Sequence, residues 1–565
     1  MPLPIGRASG QAGFALAAAT ALLGACASVP PEPAGAPLHI FAINDLHGNL
    51  LPSESEVSFR EDGQERNAVL GGAERMAGLL AQLRESAGTS ITVAAGDLVG
   101  ASPLYSAYFL DEPTIAALNL LGLDIAAVGN HEFDRGTREL RRLQQGGCEQ
   151  HTRRVPCAVE NFEGADFAYL AGNVVDGEGH SLFPGTAIRD LAGLRIGFIG
   201  LTLKETAKLV SPEGTRGYSF LDEARTANAL ASDLRARGAD EVVLLIHEGG
   251  ATDPAFSSAS CPGLSGAIMP ILDALDPAIR LIVSGHTHRA YVCDVPAPGG
   301  GTRLLTSAGR YGYFVTDVAI RVDRRARRFA TLAARNMPVV ARDVANAEIA
   351  RLVSRYLEAS REMTGRVAGT LTGSPVDDAD CVDTWTQDLV ADAQLAAASS
   401  AGAGNAGLAF INSGGVRTEP ELAADGSVTF GQLFAMQPFG NRIVVLEMTG
   451  AQIRSLLEDQ FCEEEDGAGF CYSSLTPSAN LAYEFDASLA AGSRIIRLSL
   501  DGAPVDPAAT YRVAVNDFLA SGGDGFDAFA QAAWIGEAGT DIEAMEAYLA
   551  QGPVPVPHCG RVRRQ

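Results

Sequence analysis

The sequence predicts an α/β domain followed by an α+β domain, and three observations lead to that fold class. The chain has 565 residues, more than one hydrophobic core usually organises, because single cores stop growing at about 250 to 300 residues. In its first half, short runs rich in Val and Ile alternate with helical segments, as in a sheet that is covered by helices on both faces. Beyond a helical segment at residues 345–363, strands and helices are mixed.

Six predicted strands, each apolar on both faces, build the first domain. They are the runs "LHIFAI", "SITVAA", "LDIAAV", "LRIGFIG", "EVVLLI" and "IRLIVS", and "AERMAGLLAQLRES" is typical of the helices between them. Five of these six runs end on a polar cluster that contains His, Asp or Asn. Because ligands of open α/β sheets bind at the carboxyl ends of the strands, these clusters indicate a common site.

A connecting helix is predicted next, over residues 341–365. The segment "AEIARLVSRYLEASREM" has apolar residues at helical spacing, at Ile349, Leu352, Val353, Tyr356 and Leu357, on an otherwise charged background. The α+β unit at residues 366–565 follows, with strands and helices in "GLAFINSGGVR", "RIVVLEMTGAQIRSLL", "RIIRLSLDG" and "YRVAVNDFLASGGDGF".

The start of the chain reads as a processing signal. After Arg7, "FALAAATALLGAC" is apolar but too short to span a bilayer. The end of this run, "LGAC", resembles a bacterial lipobox, which predicts a lipoprotein signal peptide over residues 1–25, a lipid anchor at Cys26 and a linker over 26–37. An ordinary secretory signal with an incidental Cys is the alternative. Both predict export, and the lipobox predicts a membrane-anchored lipoprotein that faces the periplasm or the cell exterior.

Export makes the cysteines informative. Of nine, eight remain after Cys26, an even number in an oxidising compartment. Sequence proximity suggests the pairs Cys148 with Cys157, Cys261 with Cys293 and Cys462 with Cys471, leaving Cys381 with Cys559. Eight cysteines allow about 105 pairings, so the connectivity stays open. Their scattered spacing argues against a zinc site with cysteine ligands.

The charge limits the partners. A net charge of −25 argues against nucleic acid, because binding there needs Lys and Arg to neutralise phosphates. An acidic protein that handles phosphate needs local positive charge from metal ions or a few arginines. The sequence does not indicate an oligomeric state.

The polar clusters after the strands suit metal ions. They contain Asp45 and His47, Asp97, Asn130 with His131 and Asp134, His247, and His286 with His288. A lone Asp at such a place is usually a turn former, and a lone His a satisfied core residue. However, five of the nine histidines fall at these strand ends, and Asp-x-His and His-x-His each present two ligands from one loop.

Two divalent ions that share a bridging carboxylate fit this inventory. Imidazole and carboxylate ligands without thiolate suit Zn, Mn, Co or Fe. Two aspartates contribute about −2 against about +4 from two ions, and the remainder of roughly +2 balances a phosphate monoester of about −1.5 to −2. A neutral carbonyl ligand from Asn130 would complete the coordination without cancelling that charge.

The ordered set Asp-x-His, Gly-Asp, Gly-Asn-His-Glu, His and Gly-His-x-His resembles the signature of the calcineurin-like metallophosphoesterases. The resemblance implies a four-layer α/β/β/α domain over residues 38–340. It also implies seven metal ligands, with Asp97 bridging: Asp45, His47, Asp97, Asn130, His247, His286 and His288. His131 would instead stabilise or protonate the phosphoryl group, and Asp134 would orient its ring. Glu132 receives no role.

The second unit resembles the C-terminal, substrate-binding domain of secreted 5′-nucleotidases and UDP-sugar hydrolases, through "INSGGVR", "MQPFGN" and "NDFLASGGDGF". The resemblance implies that Asn412 and Arg417 contact the substrate and that Phe439 and Phe526 sandwich its base. Such stacking is worth about 1 to 3 kcal/mol per base. A plain core position is the alternative for both rings, and it is stronger for Phe526, which lies between "SGGDG" and the helix-like "DAFAQAA".

One stretch departs from that family. Where its members carry an Arg before a "Leu-Gly-Asn-Leu" helix start, this chain has Val382 in "CVDTWTQDLVADA", and Asp388 replaces the usual Asn. Loss of a guanidinium would weaken phosphate binding. A strict preference for mononucleotides is therefore in doubt.

The predicted function is release of phosphate from nucleoside 5′-monophosphates, by in-line attack of metal-bound hydroxide. The runner-up is cleavage of a phosphodiester or pyrophosphate, such as a UDP-sugar or a 2′,3′-cyclic nucleotide, on the same core. A lipoprotein that captures nucleotides without turnover is a third possibility, but a binding protein has no use for His131.

Overall fold

Two six-stranded sheets form the centre of the N-terminal part of the molecule. The computed structural model describes residues 37–152, 154–341, 345–375, 382–461 and 473–565. In spatial order, the first sheet consists of Arg328–Pro338, Phe314–Asp323, Leu38–Ile43, Thr89–Ala95, Ile125–Ala127 and Ala168–Leu170. The second sheet consists of Ala290–Pro296, Thr302–Ala308, Leu281–Ser284, Glu241–His247, Leu194–Thr202 and Thr186–Leu191.

The two sheets face each other across an apolar layer, and helices cover their outer faces. Ile40 of the first sheet and Phe198 of the second belong to one buried cluster. Phe41, on the opposite face of its strand, packs with helix Ala73–Ser86, and the outer face of the second sheet packs with helix Glu223–Ala236. The predicted α/β/β/α layering is confirmed.

The strands that carry the polar clusters run parallel. Leu38–Ile43 pairs in parallel with Thr89–Ala95, which pairs in parallel with Ile125–Ala127. In the second sheet, Glu241–His247 pairs in parallel with Leu281–Ser284. The carboxyl ends of these strands therefore lie together, at one edge of the two-sheet layer.

Further helices of the N-terminal part lie on the outer faces and in the loops. They are Leu104–Ala107, Glu112–Leu121, Gly136–Gln145, Thr206–Leu209, Pro212–Thr215 and Ile268–Ala274, with a 3₁₀ turn at His131–Phe133. Two small antiparallel pairs, the hairpin of Val57–Glu61 with Gln64–Ala68 and the pair of Val174–Asp176 with Tyr218–Phe220, complete this part.

The connecting helix is Ala347–Thr364. It begins at Asn346, whose side chain accepts hydrogen bonds from the backbone N–H groups of Glu348 and Ile349, at 3.0 and 3.2 Å. Its apolar face is buried in the cluster that also contains helix Ala73–Ser86. The helix is therefore fixed to the N-terminal part by its apolar face. Its start is capped by Asn, one of the residues preferred at helix N-termini.

The C-terminal part is an α+β unit, as predicted. Its main sheet has the order Leu475–Pro477, Leu408–Asn412, Thr510–Asn516, Arg442–Thr449 and Ala533–Thr540. Two smaller sheets consist of Ser427–Thr429, Val367–Thr372 and Val554–Pro555, and of Ala503–Pro504, Ile495–Leu500, Leu481–Phe485 and Val562–Arg564. The helices are Trp385–Ala398, Phe430–Met436, Gly450–Glu458, Asp517–Ala520, Asp527–Ala530 and Asp541–Leu549, with 3₁₀ turns at Ser413–Gly415 and Gly523–Gly525.

Two of the four suggested disulfides are confirmed. Cys148 is bonded to Cys157 and Cys261 to Cys293, with Cα atoms 5.5 and 5.4 Å apart. The other two suggestions involve Cys381, Cys462 and Cys471, which lie outside the described residues, as do the signal peptide and Cys26. Among the helices that the structure describes, none combines the length and the apolar character needed to cross a membrane.

Candidate active site

The loops after the parallel strands hold their polar side chains in unusual backbone conformations. Asp45, His47, Asp97, His286 and His288 all have left-handed φ values, between 47° and 72°. Non-glycine residues adopt this region at a cost of about 1 to 3 kcal/mol each, and they concentrate at functional sites. The fold therefore holds these five residues in a backbone conformation that they would otherwise avoid.

These side chains converge into three groups in which the ligand atoms lie within 4.8 Å of one another. The groups are Asp45 with His47 and His288, His47 with Asp97 and His131, and Asp97 with His247 and His286. Asp97 and His47 each belong to two groups. The five strand-end loops thus create adjoining sites that share a central carboxylate.

Asp97 is the centre of this cluster. Its Oδ2 lies 3.0 Å from His247 Nε2 and 3.6 Å from His47 Nε2, while its Oδ1 accepts a hydrogen bond from the backbone N–H of His131 at 2.9 Å. Burial favours the neutral acid, but His247 and other neighbouring histidines outweigh it and lower the pKa of Asp97 well below its usual range. Asp97 is therefore a carboxylate.

Two of the imidazoles have their Nδ1 fixed by the backbone and their Nε2 turned into the cluster. His247 Nδ1 donates to the carbonyl of Ala95 at 2.7 Å, and its Nε2 lies 3.0 Å from Asp97 Oδ2 and 3.2 Å from Asn130 Oδ1. His47 Nδ1 likewise donates to the Gly100 carbonyl at 2.9 Å. A bound cation would displace the proton that Nε2 shares with these oxygens, and a backbone acceptor on the other ring nitrogen is the usual support of a histidine ligand. The donor set therefore fits divalent ions.

The protonation of the other histidines agrees with this fit. Burial lowers the pKa of His47 and His288 well below the usual value and that of His286 to about 3. His47 Nε2 lies 3.0 Å from His288 Nε2. Neutral imidazoles are the form that binds a metal. In contrast, burial opposes the charging of His247, but Asp97 raises its pKa to about 10.

His131 differs from these histidines. Its Nδ1 lies 3.0 and 3.1 Å from the two carboxylate oxygens of Asp134. Burial disfavours its charged form, but Asp134 and Asp97 raise its pKa above the ordinary value. Because Nδ1 is held by Asp134, Nε2 is the ring nitrogen left for a bound group. His131 lines the cleft together with Asn130 and His286.

Glu132, to which the sequence assigned no role, ties two of the loops together. Its buried carboxylate accepts hydrogen bonds from the backbone N–H groups of Asp97 at 2.9 Å, Leu98 at 2.8 Å and Gly129 at 2.6 Å. Burial raises the pKa of Glu132 to about 7. Neighbouring Gly129 leaves no room for a side chain, since a Cβ there would overlap the Asp97 carboxylate.

Asn130, His131, Asp134 and His286 line one end of a cleft of about 350 Å³. The other end belongs to the C-terminal part and is lined by Asn412, Arg417, Phe439, Phe518 and Asp524. The ring of Phe439 lies nearly parallel to that of His131, with centroids 6.0 Å apart and planes inclined by 19°. One continuous space thus joins the metal-ligand cluster to a partly aromatic wall.

Arg417 is a cation of this cleft that has no ion-pair partner among the described residues. Its guanidinium lies 5.9 Å from the centre of the Phe439 ring, and its Nε has no hydrogen-bond partner within the described part of the chain. Arg417 also contributes to the lowered pKa values of His47, His286 and His288. The guanidinium therefore acts electrostatically on the metal-ligand cluster and suits an anion that binds there.

Asn412 is held rigidly at the far end. Its Nδ2 donates to Asp524 Oδ2 at 2.8 Å, and its Oδ1 accepts from Asn516 Nδ2 at 3.2 Å. Asn516 and Asp524 also line the cleft, so the three side chains form one polar wall. The sequence analysis did not identify either partner, although both lie within the quoted run "NDFLASGGDGF".

Phe526 does not lie in the cleft, contrary to the expectation from the sequence. Its side chain is 2% exposed and packs in the apolar core of the C-terminal part, with Phe529. Phe518, eight positions earlier in the same motif, lines the cleft instead. A Cβ on Gly523 would overlap the Phe518 ring, so the glycine gives that ring its place. Of the two aromatic residues of this motif, Phe518 and not Phe526 therefore lines the cleft.

The two residues that depart from the family pattern lie outside the cleft lining. Val382 packs against the C-terminal core. Asp388 is buried on helix Trp385–Ala398, with its Oδ1 3.2 Å from Arg561 Nε. Arg561 also donates two hydrogen bonds to Asp392, at 2.8 and 2.7 Å. Burial, opposed by Arg561, raises the pKa of Asp388 to about 9.

Comparison with known families matches both parts of the chain. Residues 38–290 match the family described as calcineurin-like phosphoesterase, and residues 364–531 match the 5′-nucleotidase C-terminal domain. The cell wall protein Lmo0130 of Listeria monocytogenes is 29% identical over 91% of this chain and 67% of its own length. A probable 5′-nucleotidase of Treponema pallidum is 26% identical over 86% of this chain and 87% of its own length.

Some relatives are much longer than this chain, which spans 37% of the endonuclease YhcR of Bacillus subtilis at 28% identity. Among solved structures, a 5′-nucleotidase precursor from Thermus thermophilus has a TM-score of 0.74 at 24% identity, with 94% of this chain and 99% of that chain covered. The fold is therefore shared over both parts. The chain belongs to the calcineurin-like metallophosphoesterases that carry a C-terminal 5′-nucleotidase domain, a family of metal-dependent phosphoric ester hydrolases.

Proposed function

We propose that the chain releases phosphate from nucleoside 5′-monophosphates, with two divalent ions in the cluster centred on Asp97. The observation that carries this proposal is the single cleft that joins the metal-ligand cluster to Asn412, Arg417, Phe439 and Phe518. Its volume of about 350 Å³ is at the lower end of what small-molecule sites enclose. A phosphate at one end and a base at the other fit this arrangement.

Asp45, His47, Asp97 and His288 would hold one ion, and Asp97, Asn130, His247 and His286 the other. When bound, such ions neutralise phosphoryl charge and lower the pKa of water to near neutrality. Arg417 binds the phosphate, whose charge its uncompensated guanidinium attracts. His131, oriented by Asp134, stabilises the transferring phosphoryl group or gives a proton to the leaving oxygen through Nε2.

The nucleoside is held by the C-terminal part. Phe439 and Phe518 present aromatic faces on which a base stacks without strong preference for its identity. Asn412, fixed by Asn516 and Asp524, presents a polar wall that selects for groups able to form hydrogen bonds. This division assigns bond breaking to the N-terminal part and substrate choice to the C-terminal part.

A phosphate-release assay tests the proposal. Purified chain with added Mn²⁺ or Zn²⁺ should liberate inorganic phosphate from AMP, and chelation should abolish the release. Metal analysis of the same sample should give about two ions per chain. Absence of release with every metal, from protein shown to be folded, would refute the proposal.

Cleavage of a nucleotide phosphodiester or pyrophosphate is the second candidate, and Val382 supports it. A terminal phosphate carries more charge than a bridging one, and the family's additional guanidinium is replaced here by an apolar side chain. Rates on AMP, a 2′,3′-cyclic nucleotide and a UDP-sugar, measured on one preparation, would rank the two activities.

We also propose that the chain is exported and anchored through a lipid on Cys26. The support is the lipobox-like run "LGAC", together with a relative named as a cell wall protein. Incorporation of labelled palmitate, lost on Cys26→Ser, tests the anchor. Unlabelled wild-type protein that fractionates as soluble would contradict it.

A further inference from the structure

The hairpin at one border of the first sheet carries a dense run of arginine. Its two strands, Phe314–Asp323 and Arg328–Pro338, are joined by a turn at residues 324–327. Residues 321–328, here called the basic turn, have the sequence "RVDRRARR", with five arginines against one aspartate. No other eight consecutive residues of the chain contain as many basic side chains. In a protein with a net charge of −25, the basic turn is a local reversal of sign.

The arginines of the basic turn are all exposed, and two of them have no acidic partner. Arg327 binds Asp240 through two hydrogen bonds, at 2.6 and 2.7 Å. In contrast, neither Arg324 nor Arg325 forms an ion pair within the part of the chain that the structure describes. The basic turn therefore presents charge at its tip that the protein itself does not neutralise.

Two arginines of the second sheet and its flanking helix adjoin the basic turn. The backbone N–H of Arg195 donates to Asp240, the partner of the turn, at 2.7 Å, and its guanidinium donates to the carbonyl of Arg237 at 3.1 Å. Arg195 also lies 3.9 Å from Asp190, and Arg237 lies 3.0 Å from Asp233. These two cations extend the surface but are balanced by acids, so its surplus charge belongs to the basic turn.

The base of the hairpin is fixed to the fold. The backbone N–H of Phe329 donates to the Glu241 carboxylate at 2.7 Å, and the Arg280 guanidinium donates to the Phe329 carbonyl at 2.8 Å. The Phe329 ring is buried in the apolar layer between the two sheets. The basic turn is therefore presented on a well-anchored support.

The basic turn and the metal-ligand cluster lie at opposite edges of the sheets. In the pairing of the first strand with the hairpin, Leu38 lies opposite Ile320, so this strand begins beside the basic turn. The strand has six residues and leads to Asp45 and His47. Since a strand rises about 3.3 Å per residue, its two ends are about 20 Å apart.

The chain also enters the fold at the edge of the basic turn. Residues 26–37, the predicted linker, directly precede Leu38, and a chain of that length spans at most about 40 Å. A bilayer that held Cys26 would therefore be within reach of the basic turn. Anionic phospholipid surfaces attract Lys and Arg, by about fivefold in binding for each side chain near the surface.

We propose that the basic turn, together with Arg195 and Arg237, is the surface that this protein turns towards an anionic phospholipid bilayer. Repulsion between the bilayer and the acidic remainder of the chain favours the same orientation. The nearness of the bilayer rests on the proposed anchor at Cys26, whereas the affinity for anionic lipid does not. In this orientation the cleft, at the opposite edge, is open to nucleotides from solution.

Binding to vesicles tests the surface without acylation or turnover. The full-length Cys26→Ser chain is mixed with vesicles of phosphatidylcholine, or of phosphatidylcholine and phosphatidylglycerol in equal parts, and its partition coefficients are compared. Partition into the anionic vesicles should be about tenfold stronger at low salt, and most of this preference should disappear at about 500 mM salt. Arg324→Glu combined with Arg325→Glu should abolish it. Partition into the neutral vesicles, which reports the rest of the chain, should stay unchanged.

A matched pair of substitutions controls for net charge. Arg351→Glu combined with Arg361→Glu makes the same charge change at exposed positions of the connecting helix and should keep the preference. An equal loss in this control, or equal partition of the Cys26→Ser chain into both kinds of vesicle, would overturn the proposal. Tight binding of soluble heparin through Arg324 and Arg325, without a preference for the anionic vesicles, would overturn it in favour of a soluble polyanion.

Hydrogen exchange on the acylated protein tests the orientation. In the anionic vesicles, exchange should slow at residues 321–328 and stay unchanged at residues 437–441 beside the cleft. Slower exchange at the cleft residues instead would overturn the proposed orientation. Neither measurement uses hydrolysis of AMP, so a failure of the proposed activity would leave both results standing. Failed palmitate incorporation would remove the anchor, and the vesicle comparison would still decide whether the basic turn binds anionic lipid.

Discussion

The two ends of the cleft are constructed differently. At the metal end, buried side chains from several strand-end loops contact one another, and Asp97 alone faces His47, His247 and the backbone of His131. At the nucleoside end, Phe439 and Phe518 are half-buried and lie on loops or at a helix start. The metal-ligand end is held by many mutual contacts, whereas the end that we propose for the nucleoside has two partly exposed rings. Substitutions should therefore affect chemistry at one end and substrate affinity at the other.

The largest effect is expected from Asp97→Asn, since this residue belongs to two of the three ligand groups. Loss of its charge should empty the site and reduce turnover by about a thousandfold or more. Metal content per chain and phosphate release from AMP, measured together, check this. Asp124→Asn, at an exposed position, should keep both. An inactive Asp97→Asn protein that retains two ions would contradict the assigned role.

His131→Ala probes the same end without removing a proposed ligand. Turnover should fall by about 10² to 10⁴, the usual contribution of a positioned acid or base, while metal content stays that of the wild type. Asp134→Asn should give a smaller loss, since His131 keeps its ring but loses the carboxylate that orients it. A metal-free His131→Ala protein would instead make His131 a ligand, as its proximity to Asp97 and His47 allows.

Substitutions at the proposed nucleoside end should change the affinity for the nucleotide. Phe518→Ala should raise KM for AMP about tenfold, in keeping with the stacking energy of one base, and should leave p-nitrophenyl phosphate nearly unaffected. Phe526→Ala is the matched control from the same motif. Because that ring is in the core, its loss should lower the free energy of unfolding by about 3 to 5 kcal/mol. An equal loss on both substrates for Phe518→Ala would argue against stacking.

The smallest effect concerns stability, away from both ends. The pKa of Asp388 is about 9 in the folded chain and about 4 in an unfolded one, so the folded chain binds a proton more tightly. The contribution of this group to stability is therefore full below about pH 4 and is lost as the pH rises towards 9. The Asn side chain of Asp388→Asn does not ionise, so this variant does not lose that stability as the pH rises.

The free energy of unfolding of Asp388→Asn should thus exceed that of the wild type by about 1 kcal/mol or more near pH 8, and by less near pH 5. Urea unfolding at both pH values measures it. Asp392→Asn, which loses two hydrogen bonds to Arg561, should be less stable than the wild type. A gain for Asp388→Asn that is the same at every pH would contradict the raised pKa.

The sequence predicted the metal end better than the nucleoside end, for a physical reason. Buried parallel strands such as Leu38–Ile43 and Glu241–His247 have continuous apolar runs that end in polar residues, so both the strands and the loops are visible locally. The strand Gln64–Ala68 has the sequence "QERNA" and is mostly exposed, so no hydrophobic pattern marks it. The strands between residues 290 and 338 that extend both sheets were likewise not identified.

Side chains whose place depends on tertiary contacts could not be assigned from the pattern. Phe518 and Phe526 belong to one sequence motif. The contact that sets their side chains apart is the close packing of the Phe518 ring on Gly523, which the motif itself does not reveal. Glu132 acts through backbone N–H groups of residues more than thirty positions away in the chain. Such a contact leaves no local signal, although a buried carboxylate must find donors somewhere.

The left-handed backbone at five of the candidate ligands has an evolutionary consequence. At Asp45, His47, Asp97, His286 and His288 glycine would remove the steric cost of positive φ. The same substitution would remove a side chain of the cluster, so we expect it to be tolerated only where the cluster's function is not needed. In a lineage that no longer needs the reaction, these five positions should drift to glycine before the buried strands change, and a relative with that pattern would be a stable, inactive descendant.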